Sequence, residues 1–518
     1  MNEALPGVVA VVVVTVATLA IGTWGLRFSR TTSDFMVASR TVRPRLNASA
    51  IGGEYLSAAS FLGIAGLVLV RGTEMMWYPV GWTAGYLVLL VLVAAPLRRS
   101  GAYTLSDFAE ARLQSRRVRA LCSVIVVLIG WLYLLPQFQG AGITLQATIG
   151  APRWFGEVVV PAVVLVNVLA GGMRSITFVQ AFQYWLKLTA LLLPLLALLI
   201  VWLGDGAPHP VDATGAGPDP TAWALPLAGG DGQGLYLTCS LIVATFLGTM
   251  GLPHVVVRFY TNPDGRAARR TTLVVLTLLG LFYLLPPAYG ALGRVYADAL
   301  VREGRSDVLV LELPRIMIPG LAGDLLTALV TAGAFAAFLS TSSGLAIAVA
   351  GVLGQDVTGR PVGARRLSGV AAFRAGCVIA IAVPCLLALL VPGVGVARAV
   401  GLAFAVAAST FCPLLVLGIW WRGLTTAGAI AGLLVGAGGS GAAVLWNLST
   451  PPGDRWGSVL LQQPAAWSVP AAFVTMWLVS VATRARVPVD VHRFMVRLHT
   501  PEQVPLERGQ LSDSPAGG

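Results

Sequence analysis

The chain predicts an all-α membrane protein of about 13 transmembrane helices, on three observations. Of its 518 residues, 56% are hydrophobic and 11% charged, with a mean hydropathy of +0.79, so its main solvent is lipid. Its apolar runs repeatedly reach the roughly 20 residues that cross a bilayer as a helix. The second run, 46–70, is interrupted by Gly52-Gly53-Glu54-Tyr55: two helix-weakening glycines, then a carboxylate at bilayer depth. Such a charge costs on the order of 3 kcal/mol on insertion scales and marks a polar cavity or solute route. A broken span implies a transporter.

Span 1 (7–26) is preceded only by Met-Asn-Glu-Ala-Leu-Pro-Gly, without the basic segment of a secretory signal, and reads as a retained span. Apolar length then gives spans 2 (46–70), 3 (76–97), 4 (119–147), 5 (156–172), 6 (177–203) and 7 (233–257). Spans 8 (270–293), 9 (320–353), 10 (371–392), 11 (396–420), 12 (424–446) and 13 (465–483) complete the set. Alternating sides sorts the Lys and Arg residues 26 to 8, with Lys187 alone inside a span. The rich side is expected to be cytoplasmic, which puts the N-terminus outside, the C-terminus inside and the protein in the plasma (inner) membrane. The loop Gly204–Gly232 agrees, carrying Asp205, Asp212, Asp219 and Asp231 with no Lys or Arg.

Spans 2–6 and 7–11 form two groups of five. An odd-numbered unit followed by its copy crosses in the opposite sense, which makes inverted repeats. The expected organisation is 1–32 (first helix and loop), 33–230 and 231–423 (the repeats), 424–483 (two further helices) and 484–518 (a disordered cytoplasmic tail). Each repeat opens on an interrupted span: Gly52-Gly53 in span 2, and Gly248, Gly251, Pro253 and His254 in span 7. Glycine relaxes a helix and proline removes a donor, so backbone groups near both breaks become free for a ligand.

Span 9 carries four consecutive hydroxyls, Ser340-Thr341-Ser342-Ser343. At 100° per residue two can face one site, and oxygen pairs suit a hard cation; equally, such hydroxyls bond back to their own helix. Glu54 reads as a substrate-proximal or titrating group, or as a satisfied carboxylate. Lys187, the only lysine, could neutralise an anion, stand in for a cation, or snorkel along its stem to the interface, the reading preferred from sequence. Tyr55, Ser57, Ser60, Tyr133 and Gln137 join Glu54, Gly248, Gly251, Pro253 and His254 as candidates to border the substrate cavity. Every arginine falls in or near a loop, so no buried guanidinium is expected. The basic charge of +12 is spread over short connectors and suits membrane orientation, excluding a nucleic-acid surface. The five cysteines show no CxxC spacing, and no GxSxG, HExxH or phosphate loop occurs, so neither an enzyme nor a cofactor is indicated.

Several strings together resemble the sodium:solute symporter family, in its acetate and short-chain monocarboxylate branch. They are Ser33-Asp-Phe-Met-Val-Ala-Ser-Arg40, GEYLSAASFLGIAG at 53–66, YTLSDFAEARL at 103–113, GLPHVVVRFYT at 251–261 and GLAFAVAASTFCP at 401–413. The resemblance implies the leucine-transporter-like fold of two inverted five-helix repeats. It also implies a sodium ion held by the carbonyls of Gly53, Leu56 and Ala337 and the hydroxyls of Ser340 and Thr341, sodium being the only metal expected. Where many members of the family carry an aspartate, this chain has Gln180, which breaks any accessory ion path there and leaves Lys187 as an alternative coupling group. The expectation is sodium-coupled uptake of a small monocarboxylate such as acetate, with proton coupling or a transporter-derived sensor as alternatives. The expected partners are the carboxylate, sodium and the lipid bilayer, without an obligate protein partner.

Overall fold

A computed structural model describes residues 4–25, 38–211, 220–227, 232–356, 369–391, 395–450, 453 and 455–502. The 33–37 part of the first family string, the aspartates Asp212, Asp219 and Asp231, and the tail beyond 502 lie outside these residues. The described chain is helical, with no strand among the described residues. Eleven helices are long and apolar enough to span a membrane, and the bent pair Pro44–Tyr55 and Ala59–Arg71 makes a twelfth. Helix Arg153–Gly204 has 52 residues, about 78 Å at 1.5 Å each, more than twice the hydrocarbon thickness. It contains a non-helical turn at Gly172 (φ 55°, ψ −154°), a backbone that glycine adopts without a Cβ clash, and it accounts for spans 5 and 6. With its two segments counted separately, the described residues hold thirteen candidate crossings.

The long helices follow the predicted order: Leu5–Gly25 (span 1), Thr73–Ser100 (span 3) and Arg116–Ile149 (span 4), then Gly265–Tyr296 (span 8) and Leu321–Asp356 (span 9). Gly369–Leu390, Val396–Trp420, Thr426–Ser449 and Ala465–Ala482 are spans 10–13. Burial sorts them by position: the apolar window of span 9 is wholly buried and that of span 11 nearly so, whereas span 1 is mostly exposed to lipid. The core helices are rich in small residues, which let backbones approach. Gly248 and Gly251 show this, since a Cβ on either would lie 2.4 Å from a span 11 carbonyl, Phe404 O or Ala407 O.

Connectors on the arginine-rich side interlock. Thr104 and Asp107 form a capping box that starts helix Leu105–Leu113. From that helix the buried Arg112 reaches the carbonyls of Gly418 (2.9 Å) and Trp421 (3.0 Å), closing the C-terminal end of span 11. The tail is not wholly without structure: Val491–His499 is a helix whose Arg497 donates to Arg99 O, while Glu502 pairs with Arg99. Its buried face, Val491, Met495 and Leu498, spaced by three and four residues, explains the docking.

Candidate functional site

The first break lies at residues 56–58, three residues beyond the glycines, where the two halves of span 2 meet at 69°. The glycines do a different job from the one expected of them. A Cβ on Gly53 would sit 2.0 Å from Gln180 O and one on Gly52 2.8 Å from the Tyr184 ring, so they let span 6 press against span 2. With the first half ending at Tyr55, the carbonyls of its last turn lose their helical donors and need others. Each finds one. Thr341 Oγ1 donates to Glu54 O (2.6 Å), and Lys187 Nζ donates to Gly53 O and to Leu56 O (2.7 Å). The freed amide of Ala58 donates to Gln137 Oε1 of span 4 (3.1 Å).

The five residues named as sodium ligands are thus brought together. Ser340 Oγ donates to Ala337 O (3.1 Å) and accepts from Lys187 Nζ at 2.8 Å. Lys187 does not snorkel: its side chain turns inward from span 6 and is wholly buried. Gln180, two turns earlier on the same face, donates to Ser340 O (2.7 Å).

The second break falls at Leu252, which is extended (φ −72°, ψ 120°), with Pro253 opening helix Pro253–Tyr260 where its missing N–H costs nothing. This short helix corrects one sequence expectation. Arg258 is buried, its Nε donating to Glu54 Oε2 at 2.5 Å and its Nη1 to Thr177 Oγ1 at 2.9 Å. A guanidinium is therefore available at depth, joining the two breaks through one ion pair. The signal was present in sequence, because Glu54 needed a cation and Arg258 lies one helical turn past His254.

Several buried polar atoms at the breaks have no partner among the described residues: both ring nitrogens of His254, Arg258 Nη2, Ser57 Oγ and Gln137 Nε2. Native interiors leave few such groups, so this concentration marks a place for a polar guest. Aromatic rings enclose it. Phe404 of span 11 lies 6.3 Å from Tyr55, 5.6 Å from Trp82 and 6.1 Å from Tyr133, and Tyr133 stands edge-on to His254 at 5.4 Å. Tyr55 is held by Thr249 (2.8 Å), and Ser60 bonds Tyr283 (2.9 Å). Among the sequence candidates, Gly248 and Gly251 face the span 11 backbone, while Pro253 shapes the break.

Beyond Tyr78 and Trp82, whose rings are 5.4 Å apart, a cavity of about 350 Å³ opens on the arginine-poor side. Arg71, Glu74, Tyr78, Asp307 and Arg398 line it. An aromatic layer runs from Tyr78 at its wall through the buried rings of Trp82 and Phe404 to Tyr55 at the first break.

Paired broken helices around an enclosed polar site define a secondary transporter. A family model for the sodium:solute symporter family matches residues 35–436. The chain belongs to that family, and is a multi-pass membrane symporter of small solutes. It is 30% identical over 510 residues to the uncharacterized symporter YwcA of Bacillus subtilis, covering 93% of this chain and 96% of that one. With a monocarboxylic acid transporter of Corynebacterium glutamicum the identity is 32% over 500 residues, covering 88% and 87%. The fold matches a Na+-coupled sialic acid symporter in a substrate-bound outward-open state (TM-score 0.69, 14% identity, 92% and 97% covered). It also matches Mhp1, a nucleobase-cation-symport-1 family transporter, in a closed conformation (TM-score 0.54, 13% identity, 89% and 98% covered).

Proposed function

We propose that the protein imports a small monocarboxylate, of the acetate to pyruvate size, by cation-coupled symport across the plasma membrane, with its N-terminus outside and C-terminus in the cytoplasm. The carrying observation is the set of unpartnered buried donors at the second break. His254, Arg258 Nη2 and the first amides of helix Pro253–Tyr260 offer hydrogen bonds to one carboxylate, and Tyr133, Phe404 and Tyr55 offer apolar walls to a short chain. The similarity to a monocarboxylic acid transporter supports the same solute class.

The solute enters from the cavity beside Arg71 and Arg398, passes the aromatic layer and seats between the breaks. Rocking of the spans around this fixed site then opens it to the other face. Positive charge at the oxygens of Gly53, Leu56, Ala337, Ser340 and Thr341 steadies the end of the first half of span 2 against span 9. Sodium is the cation that the family resemblance supplies. Coupling to protons is a second reading, favoured by the placing of an ammonium, Lys187, at those same oxygens.

Proteoliposomes loaded and diluted to set sodium and proton gradients separately test this. Accumulation of labelled acetate, propionate or pyruvate under either gradient, competed by unlabelled short carboxylates, is the expected result. Transport of neutral or cationic solutes with no response to carboxylates would reject the reading.

A further inference from the structure

Lys187 Nζ meets Gly53 O, Leu56 O (2.7 Å) and Ser340 Oγ (2.8 Å), three of the five residues that the family resemblance assigns to sodium. An ammonium has three hydrogens, and these three acceptors use all of them. The side chain reaches the site because Gly53 lacks a Cβ and so lets the span 6 ridge of Gln180, Tyr184 and Lys187 lie against the end of the broken helix. Ser340 Oγ turns its own hydrogen to Ala337 O, which leaves its lone pairs for the ammonium. Thr341 Oγ1, the remaining ligand expected, gives its hydrogen to Glu54 O (2.6 Å). Carbonyls at a helix C-terminus carry partial negative charge and draw a cation. A tethered cation already answers that charge, and a second cation among the same oxygens would meet it at repulsive range.

We propose that the Lys187 ammonium is the built-in cation of this site, joining spans 2, 6 and 9 in place of an exchangeable sodium ion, so that solute loading requires no sodium there. The proposal rests on the transport reading for its biological meaning, but the occupancy of the site is separable from it. Lys187→Ala removes the tether while leaving the five oxygen ligands, and should create a sodium site that the wild type lacks.

The test compares wild-type protein, Lys187→Ala, Ser340→Ala and Lys187→Ala/Ser340→Ala in detergent and in proteoliposomes, with sodium or choline at equal ionic strength. Two readouts are taken: thermal unfolding without solute, and uptake of labelled propionate. The expected result is no sodium effect on wild-type unfolding or uptake, a sodium-dependent rise in the unfolding temperature of Lys187→Ala, and loss of that rise in the double variant. A wild type stabilised by sodium, with the response lost in Ser340→Ala, would overturn the proposal. So would a folded Lys187→Ala that shows no sodium response. Should Lys187→Ala fail to fold, the wild-type comparison with Ser340→Ala decides. Absence of propionate uptake in every condition would count against the carboxylate reading alone, because the unfolding measurements need no solute.

Discussion

Glu54 and Arg258 pair at 2.5 Å across the two broken spans, buried and more than 200 residues apart in sequence. Each repeat contributes one charge, so the pair fastens the first break to the second. Removing either partner strands the other in a low-dielectric interior. Glu54→Ala or Arg258→Ala should each cost about 3–5 kcal/mol. Removing both charges with Glu54→Ala/Arg258→Ala should cost less than the sum of the single changes. Thermal unfolding of the four proteins gives the coupling energy, and additive losses would refute the pairing.

Gln137 should be tolerant of one substitution and not of another. Its Oε1 is the acceptor for the Ala58 amide freed by the break. Gln137→Leu leaves that N–H buried and unpartnered, at a cost of about 1–3 kcal/mol, while Gln137→Glu, in its neutral protonated form, keeps a carbonyl acceptor. Unfolding temperature should rank wild type and Glu well above Leu.

His254 offers two ring nitrogens without partners, beside Tyr133. If one donates to the carboxylate, His254→Phe should raise KM for the solute about tenfold, the equivalent of about 1.4 kcal/mol. Unfolding temperature should change little, since no hydrogen bond to a described residue is lost. Initial uptake rates over a concentration series decide; an unchanged KM would remove His254 from the binding site.

In the outer cavity Arg71 and Arg398 offset the charges of Glu74 and Asp307, so that removing both arginines leaves a negative entrance that repels an approaching anion. Arg71→Gln/Arg398→Gln is expected to lower kcat/KM for a carboxylate at low ionic strength. The gap between variant and wild type should narrow as salt shortens the Debye length to about 8 Å at physiological strength. A deficit independent of salt would instead indicate direct contact with the solute.

Arg112 should carry stability without touching the solute. Its guanidinium satisfies Gly418 O and Trp421 O at the end of span 11. Arg112→Met keeps the apolar bulk but leaves those carbonyls without it, and should lower the unfolding temperature by the equivalent of about 1.5–3 kcal/mol with KM unchanged. Uptake kinetics alongside unfolding separate the two effects.

Span number, the break in span 7 and the pairing of interrupted helices were legible in sequence, because apolar length and proline chemistry act locally. What needed the fold were contacts between distant segments. Gly52 and Gly53 looked like the weak point of span 2, yet the helix runs through them and ends at Tyr55, since the space they leave is filled by Tyr184 and Gln180. Lys187 looked able to reach an interface, and only the packing of span 6 against spans 2 and 9 turns its stem inward. Arg258 looked like a loop-side charge until its helix was placed beside Glu54. Burial of a long polar side chain depends on which neighbour passes within reach, and periodicity carries no record of that.

The bend in span 2 is secured atom by atom: Ala58 N to span 4, Gly53 O and Leu56 O to span 6, Glu54 O to span 9. A joint so fastened does not flex by degrees. Swinging one segment past the other obliges several donors in three separate helices to let go and re-engage together, so the carrier should toggle between a few discrete postures, with the number of bonds surrendered setting the pace of each turnover.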